Sequence, residues 1–257
     1  MKKLYILYLI AFMIIISGCT EDTDTEKTEL TVSAAASLRD ALEEAGQRYM
    51  DEYPDIKIIY NFGGSGSLQQ QISQGAPVDV FISAAEDKYN ELLSKKLINE
   101  NHSVKLLGNE LVLITHKDNK KIDSLENLVQ TDIERIAIGT PESVPAGQYA
   151  KQALLSANVW DQLKSKIINS KDVRQVLTYV ETRNVDAGIV YKTDAMISKN
   201  IHMTRIPGAG VHDSIIYPAG VVAASKNPEE AIKFFNFLID QETMAIFKKY
   251  GFKAALD

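Results

Sequence analysis

Two serines lie where a predicted strand gives way to a predicted helix, a place where proteins often bind small anions. Ser37 follows the β-prone and mostly apolar residues 30–36, and apolar residues at helical spacing begin at Leu38. A helix that starts here leaves its first N–H groups without an intrahelical acceptor, and its dipole adds positive potential. Ser37 is also a good N-cap, with Asp40 three residues further on. The junction therefore predicts either an anion site or an ordinary capped helix.

The second serine, Ser65, lies in a glycine-rich segment of the same kind. Residues 56–62 predict a strand, and the segment Gly63-Gly-Ser-Gly-Ser67 leads into a helix that begins near Leu68. Neither the phosphate-binding pattern G-x-x-x-x-G-K-[ST] nor the dinucleotide pattern G-x-G-x-x-G is present in this segment. Glycines allow a ligand to approach the backbone closely, and the serine adds a hydroxyl group. The alternative interpretation is a flexible turn.

The second half of the chain repeats this arrangement. Residues 139–150 follow a predicted strand and open a helix, and residues 170–173 open another. Residues 187–191 predict a strand that ends at Tyr191. Taken one at a time these features are common, and a tyrosine such as Tyr191 is more often a core residue than a ligand contact.

The composition disfavours catalysis and nucleic-acid binding. The four histidines form neither H-x-x-x-H nor H-E-x-x-H, the sequence has no G-x-S-x-G, and no pair of catalytic carboxylates stands out. Cys19 is the single cysteine, which excludes disulfides and cysteine metal clusters. The net charge is −6, and it becomes −8 once Lys2 and Lys3 are removed with a leader. We therefore expect no enzyme, no cofactor and no nucleic-acid partner.

Strands and helices alternate along the chain, which predicts an α/β fold with helices on both faces of mostly parallel sheets. Two long extended runs, residues 106–116 and 215–224, predict a double crossing between two lobes. Ligands of such folds bind outside the carboxyl ends of the strands. The expected boundaries are residues 30–108 plus 218–257 for lobe 1 and residues 109–217 for lobe 2.

The first residues predict a targeting segment. Lys2 and Lys3 precede the apolar residues 4–16, a run shorter than the roughly 20 residues that span a membrane. The following Ile16-Ser-Gly-Cys19 resembles the lipobox of bacterial lipoproteins, in which the cysteine is lipidated after cleavage. The alternative is a buried or reactive thiol. We expect a signal peptide at residues 1–18 and a lipidated, flexible tether at residues 19–29.

Seven short motifs, in order from Leu30 to Phe252, closely resemble the periplasmic molybdate-binding proteins of ABC importers. Each motif is weak alone, and their order along nearly the whole mature chain makes the resemblance specific. The motifs are Ala34-Ala-Ala-Ser-Leu38, Phe62-Gly-Gly-Ser-Gly-Ser-Leu68, Gly75-Ala-Pro-Val-Asp-Val-Phe-Ile-Ser83, Val144-Pro-Ala-Gly-Gln-Tyr-Ala150, Asp172-Val-Arg174, Gly188-Ile-Val-Tyr191 and Phe247-Lys-Lys-Tyr-Gly-Phe252.

This resemblance implies a two-lobed fold of the type II periplasmic-binding-protein kind, closing on a dehydrated tetrahedral oxyanion held by neutral donors. By motif, Ser37 and Ser65 supply hydroxyl and backbone N–H donors from lobe 1. Ala146 and Val173 supply backbone N–H donors from lobe 2, and Tyr191 supplies its phenolic hydroxyl. Molybdenum would be bound only as the oxyanion through these residues.

The resemblance also implies a lipid-anchored, monomeric substrate-binding protein on the outer face of the cytoplasmic membrane. It would capture molybdate, and tungstate, and deliver the anion to the membrane permease of an ABC importer. One alternative is a receptor of the same fold for another oxyanion, such as sulfate or phosphate. A second is a hydrolase or transferase acting on phosphate esters, against which the absence of an evident general base counts.

Overall fold

The computed structural model describes residues 27–119, 122–130 and 132–255. The expected signal peptide, Cys19 and tether residues 20–26 lie outside these residues. The predicted tether extends two residues too far, to residue 29, because the first strand already begins at Thr28. Thr28 pairs with Ile56 of the neighbouring strand, and an ion pair of 2.7 Å joins Glu29 to Lys57, so these residues are held in the sheet.

The described residues form two mixed sheets with helices packed on them. The strands in chain order are β1 (Thr28–Ala35), β2 (Ile56–Gly63), β3 (Val80–Ile82), β4 (Ile98–Gly108), β5 (Leu111–His116), β6 (Ile136–Gly139), β7 (Ile167–Ser170), β8 (Ala187–Tyr191), β9 (Ile201–Arg205), β10 (Ile216–Val222) and β11 (Lys253–Ala254). The helices are α1 (Arg39–Glu52), α2 (Ser65–Ser73), α3 (Glu86–Ser94), α4 (Pro145–Ser156), α5 (Trp160–Leu163), α6 (Val173–Glu181), α7 (Lys192–Met196), α8 (Pro228–Ile239) and α9 (Gln241–Lys249).

The six-stranded sheet has the order β11-β4-β10-β3-β1-β2, and the five-stranded sheet has the order β7-β6-β8-β5-β9. We call these sheets, with their helices, lobe 1 and lobe 2. The chain leaves lobe 1 between β4 and β5 and returns between β9 and β10. The boundary after residue 108 stays a prediction, whereas the one before residue 218 falls inside β10, which already pairs with β4 of lobe 1 from Ile216 onwards.

The sheets are mixed rather than mostly parallel, and the double crossing explains why. β1, β2 and β3 pair in parallel in lobe 1, as do β6, β7 and β8 in lobe 2. A strand that enters a lobe directly from the other one must run away from their boundary. Accordingly β5 is antiparallel to β8, and β10 is antiparallel to β3 and β4.

The helices bury the apolar face that the sequence periodicity predicts. On α1 the buried residues include Leu42, Ala45 and Tyr49, spaced three and four apart so that they share one face. The Tyr49 ring lies 5.0 Å from the rings of both Phe234 and Phe237 on α8, in edge-on geometry. Aromatic packing of this kind fixes the C-terminal helices on lobe 1.

A charged cluster stabilises the first crossing between the lobes. The Glu110 carboxylate lies in this crossing and forms ion pairs with Lys253 of lobe 1 at 2.9 Å and Lys192 of lobe 2 at 3.1 Å. The Arg205 guanidinium lies 3.5 Å from the same Glu110 carboxylate. Hydrogen bonds from Lys253 and then Lys192 lower the pKa of Glu110 to about 2.

We predict that Glu110→Gln lowers the free energy of unfolding at pH 7 by about 1 kcal/mol, because the pairs are partly exposed and screened. A carboxylate with a lowered pKa contributes stability above its unfolded-state pKa of 4.5 and loses it as the pH falls towards 2. The difference in melting temperature between parent and variant should therefore narrow below pH 5. Glu91→Gln, which removes an exposed pair with Lys95, is the control and should change less. An equal difference at pH 7 and pH 3 would contradict this role of Glu110.

Candidate functional site

All five residues that the motifs single out line one cavity between the lobes. It is small, with a volume of about 10 Å³ open to the centre of a water molecule. The side chains around it are all uncharged, and most are small. They belong to Ala35, Ala36, Ser37, Gly63, Gly64, Ser65, Ala84, Val144, Pro145, Ala146, Val173 and Tyr191.

Ser37 lies after β1, but it does not cap the following helix as its position predicted. Residues Ala36–Leu38 form a short 3-10 helix whose own N-cap is Ala35, and α1 starts only at Arg39. The Ser37 hydroxyl instead lies 2.9 Å from the hydroxyl of Tyr217 on β10. The N-cap prediction was wrong because a tertiary partner 180 residues away engages the side chain.

Ser65 is the first residue of α2, directly after the carboxyl end of β2. It is fully buried, and its Oγ accepts a hydrogen bond of 2.9 Å from the backbone N–H of Ala84. A backbone N–H can only donate, so the Ser65 hydroxyl keeps its own proton for another acceptor. The helix start adds N–H groups on the same side.

Ala146 reaches the cavity because α4 begins very close to the end of β6. A Cβ on Gly147 would lie 1.8 Å from the carbonyl oxygen of Gly139, and a Cβ on Gly139 would lie 2.4 Å from Val144. Only glycine at both positions permits this approach. Pro145 opens the helix at its first position, where a missing N–H costs nothing, and Ala146 follows with its N–H.

Val173 is the first residue of α6, and the residues beside it fix this helix start. Asp172 is the N-cap, and its side chain accepts from the N–H of Gln175 at 2.9 Å. The Gln175 side chain in turn accepts from the N–H of Lys171 at 2.9 Å, which completes a reciprocal cap. The Asp172 carboxylate is thus used as a cap.

Tyr191 ends β8 and is buried, with its ring 5.8 Å from that of Tyr217 in edge-on geometry. Its hydroxyl forms no hydrogen bond of normal geometry with any residue that the structure describes. Burial raises the pKa of Tyr191 well above its usual range, so the hydroxyl stays protonated and can donate.

The two lobes contact each other directly beside the cavity. The N–H of Gly66 on α2 donates to the carbonyl of Ser143 in lobe 2 at 2.9 Å. A Cβ on Gly64 would lie 2.8 Å from the same oxygen. The two glycines therefore let the lobes approach until backbone meets backbone.

Arg174 joins the lobes next to this contact, a role that was not predicted from the sequence. Its guanidinium pairs with Asp194 in its own lobe at 2.6 Å, with Asp40 on α1, and donates to the Ser37 carbonyl at 3.3 Å. Burial raises the pKa of Asp194 to about 6, although Arg174 acts in the opposite direction. Its position directly after Val173 in a motif is the one signal that the sequence offers.

Comparisons with known proteins identify relatives that match most of the chain. The family model described as bacterial extracellular solute-binding protein matches residues 30–253. A Bacillus subtilis relative, provisionally named ABC transporter substrate-binding lipoprotein YvgL, is 48% identical over 98% of each chain. The molybdate-binding protein ModA of Haemophilus influenzae is 34% identical over 88% of this chain and 90% of its own.

A solved structure, the Azotobacter vinelandii periplasmic molybdate-binding protein, superposes with a TM-score of 0.80 over 87% of this chain and 98% of its own, at 22% identity. Such a low identity shows the fold alone. With it, the expected type II fold of two α/β lobes is confirmed.

We predict that Arg174→Met destabilises the protein by about 3–5 kcal/mol, because it leaves the Asp194 carboxylate buried without its partner. A carboxyl group with a raised pKa loses stability as the pH rises through that pKa, so the loss should be larger at pH 8 than at pH 5. Asp40→Asn is the matched control, since it removes only the half-exposed partner and should cost about 0–1 kcal/mol. Urea unfolding at both pH values measures these differences. Equal costs for the two variants would show that Asp194 does not depend on Arg174.

Proposed function

The chain belongs to the family of bacterial extracellular solute-binding proteins and is a substrate-binding component of an ABC transporter. From this premise we propose that it captures molybdate, and tungstate, in the cavity between its lobes and delivers the anion to a membrane permease. The family consists of solute-binding transport proteins rather than enzymes.

The observation that carries the proposal is that the five residues expected to donate hydrogen bonds all line one uncharged cavity. Ser37 and Ser65 come from lobe 1, whereas Ala146, Val173 and Tyr191 come from lobe 2. Three of these residues lie within the first two positions of a helix, where N–H groups lack intrahelical acceptors and the dipole favours an anion. Hydrogen bonds to a charged group stabilise more than neutral ones, so a dianion can be held without a cation.

The same donor set disfavours the alternatives. The cavity is lined by Ala, Gly, Ser, Val, Pro and Tyr, so its lining offers neither a carboxylate nor a histidine as the general base that ester hydrolysis requires. Hydrogen phosphate carries a proton that needs an acceptor, and the side chain of Asp172 is used as a helix cap. Sulfate carries no such proton, and only its smaller size discriminates against it.

We further propose that Cys19 carries a lipid that anchors a monomeric protein to the outer face of the cytoplasmic membrane. The support is the short apolar run before Ile16-Ser-Gly-Cys19 and the word lipoprotein in the name of the Bacillus subtilis relative. Within the part of the chain that the structure describes, no helix combines the length and apolar character that crossing a bilayer requires.

We predict that molybdate and tungstate at 100 times their dissociation constants stabilise the soluble domain by about 2.7 kcal/mol. For a protein of this size the melting temperature should rise by roughly 5–10 °C. Chloride and nitrate should change it little, and sulfate and hydrogen phosphate should act only at much higher concentrations. Calorimetric titration gives the dissociation constants. A flat response to molybdate would refute the proposed ligand, and tighter binding of sulfate would favour the first alternative.

A pair of tyrosine variants locates the anion in the same experiment. Tyr191→Phe removes only a hydroxyl from the cavity and should weaken molybdate binding roughly ten- to a hundredfold. Tyr60→Phe removes a hydroxyl that donates to the Leu42 carbonyl at 2.6 Å within lobe 1, and it should leave the affinity unchanged. If both variants bind like the parent, the anion lies elsewhere.

For the anchor, we predict that Cys19→Ser abolishes lipidation and releases the protein from membranes. Without the lipid, only the apolar residues before position 19 could hold the protein, and this run is either cleaved off or too short to span the bilayer. Molybdate binding by the released protein should equal that of the soluble domain. Membrane fractionation measures the release, and metabolic labelling with a radioactive fatty acid measures the lipidation. A variant that stays firmly membrane-bound would mean that the apolar run itself is the anchor.

A further inference from the structure

A chain of hydrogen bonds, partly buried at Asn109 and buried beyond it, runs from the first crossing between the lobes to the edge of the cavity. The side-chain amide nitrogen of Asn109 lies 3.1 Å from the Tyr217 hydroxyl, which lies 2.9 Å from the Ser37 hydroxyl. Tyr217 is fully buried and Ser37 is 2% exposed. The cavity begins at Ser37, and neither Asn109 nor Tyr217 lines it.

The direction of this chain follows from the groups that surround Asn109. Its amide oxygen accepts the backbone N–H of Glu110 at 2.8 Å, and a backbone N–H requires an acceptor there. The amide nitrogen must therefore point the other way. One of its hydrogens goes to Thr193 at 2.9 Å, and the other goes to the Tyr217 oxygen.

The Tyr217 hydroxyl consequently donates to Ser37. Its oxygen already accepts from Asn109, and its described hydrogen-bond partners are Asn109 and Ser37. If Ser37 donated to Tyr217 instead, the Tyr217 proton would be left with only the nearby Tyr191 hydroxyl, with which no hydrogen bond of normal geometry is formed, and this is costly for a buried group. Burial also raises the pKa of Tyr217 well above its usual range, so this proton is retained.

The Ser37 oxygen thus accepts from Tyr217, and its own proton remains for an acceptor in the cavity. Ser65 reaches the same state by a different route, since the Ala84 N–H donates to its oxygen. Both serine hydroxyls are therefore set to donate, one by the backbone and one by the side chains of Asn109 and Tyr217.

We propose that Asn109 and Tyr217 are positioning residues for the anion site, which orient the Ser37 hydroxyl so that it donates to the bound oxyanion. This inference rests on the proposed function. With Ser37 in this orientation, every group named in the cavity is a hydrogen-bond donor. A ligand whose oxygens are all acceptors satisfies such a site, whereas an anion that carries its own proton does not.

The test is a double-mutant cycle on molybdate affinity, measured by calorimetry. Ser37→Ala should weaken binding roughly ten- to a hundredfold, and Tyr217→Phe about three- to tenfold. If Tyr217 acts through Ser37, adding Tyr217→Phe to the Ser37→Ala protein should change the affinity less than twofold. Additive losses would overturn the proposal. A parent that binds no molybdate would overturn this inference together with the proposed function, whereas additive losses in a molybdate-binding parent overturn the inference alone.

A second tyrosine provides the matched structural control. Tyr89 is also buried in lobe 1, and its hydroxyl lies 2.8 Å from that of Ser103 and 3.0 Å from the Ala219 carbonyl, away from the cavity. Tyr89→Phe should lower the melting temperature and leave molybdate affinity unchanged. If it weakens binding as much as Tyr217→Phe does, the effect of Tyr217 is a general loss of packing and the proposal fails.

The direction of the chain is tested by Asn109→Asp, which keeps an acceptor for the Glu110 N–H. A carboxylate would accept the Tyr217 proton, and Ser37 would then donate to Tyr217 rather than to the cavity. In the parent protein, Asn109→Asp should weaken molybdate binding more than Tyr217→Phe does. In the Ser37→Ala protein, the loss of affinity caused by Asn109→Asp should be at least threefold smaller than it is in the parent. Equal losses in both backgrounds would show that the added charge acts directly on the anion, and would refute the assigned direction.

Discussion

The direction of the strands determines where the cavity between the lobes lies and which residues line it. The parallel strands of each sheet end at the boundary between the lobes, and every proposed donor follows such an end: Ser37 after β1, Ser65 after β2, Ala146 after β6, Val173 after β7 and Tyr191 at the end of β8. The two strands that cross between the lobes run the other way, so their beginnings lie at the same boundary. Asn109 precedes β5 and Tyr217 lies at the start of β10. Strand ends supply the groups that line the cavity, and the starts of the crossing strands supply the groups that orient them.

This division explains how much could be predicted from the sequence. The junctions at Ser37, Ser65, Ala146 and Val173 have a local signature, because strand, small residues and helix follow one another within about a dozen residues. The prediction that Ser37 caps a helix was wrong, and the contacts of Arg174 and Tyr217 were not predicted. In each case the partner is distant in sequence. Ser37 and Tyr217 are 180 residues apart, and Arg174 and Asp40 are 134 apart. The mixed strand pairing was missed for a related reason, since it follows from the path between the lobes and not from the residues of any one strand.

The charges near the site are arranged so that none of them enters it. The Arg174 guanidinium lies beside the cavity, but Asp40 and Asp194 neutralise it. The Glu110 carboxylate, at the crossing, is surrounded by Lys192, Lys253 and Arg205. The cavity lining itself is uncharged. Attraction for an anion must therefore come from hydroxyl and N–H dipoles at short range, which act more strongly in a protein interior of low dielectric constant than in water.

This arrangement separates the energy that holds the lobes together from the energy that holds a ligand. The contact of Gly66 with Ser143 and the pair of Arg174 with Asp40 exist between protein groups alone, so they favour this arrangement of the lobes without any anion. A ligand shifts the balance between open and closed forms only by the bonds that it makes better in the closed form. The donors proposed on both lobes would give an oxyanion that difference, because separated lobes would bring it only the donors of one lobe at a time. Each such bond is moderate when no cation is involved. Under the proposed function, these moderate bonds would be enough to favour the contact between the lobes and weak enough for the anion to leave again.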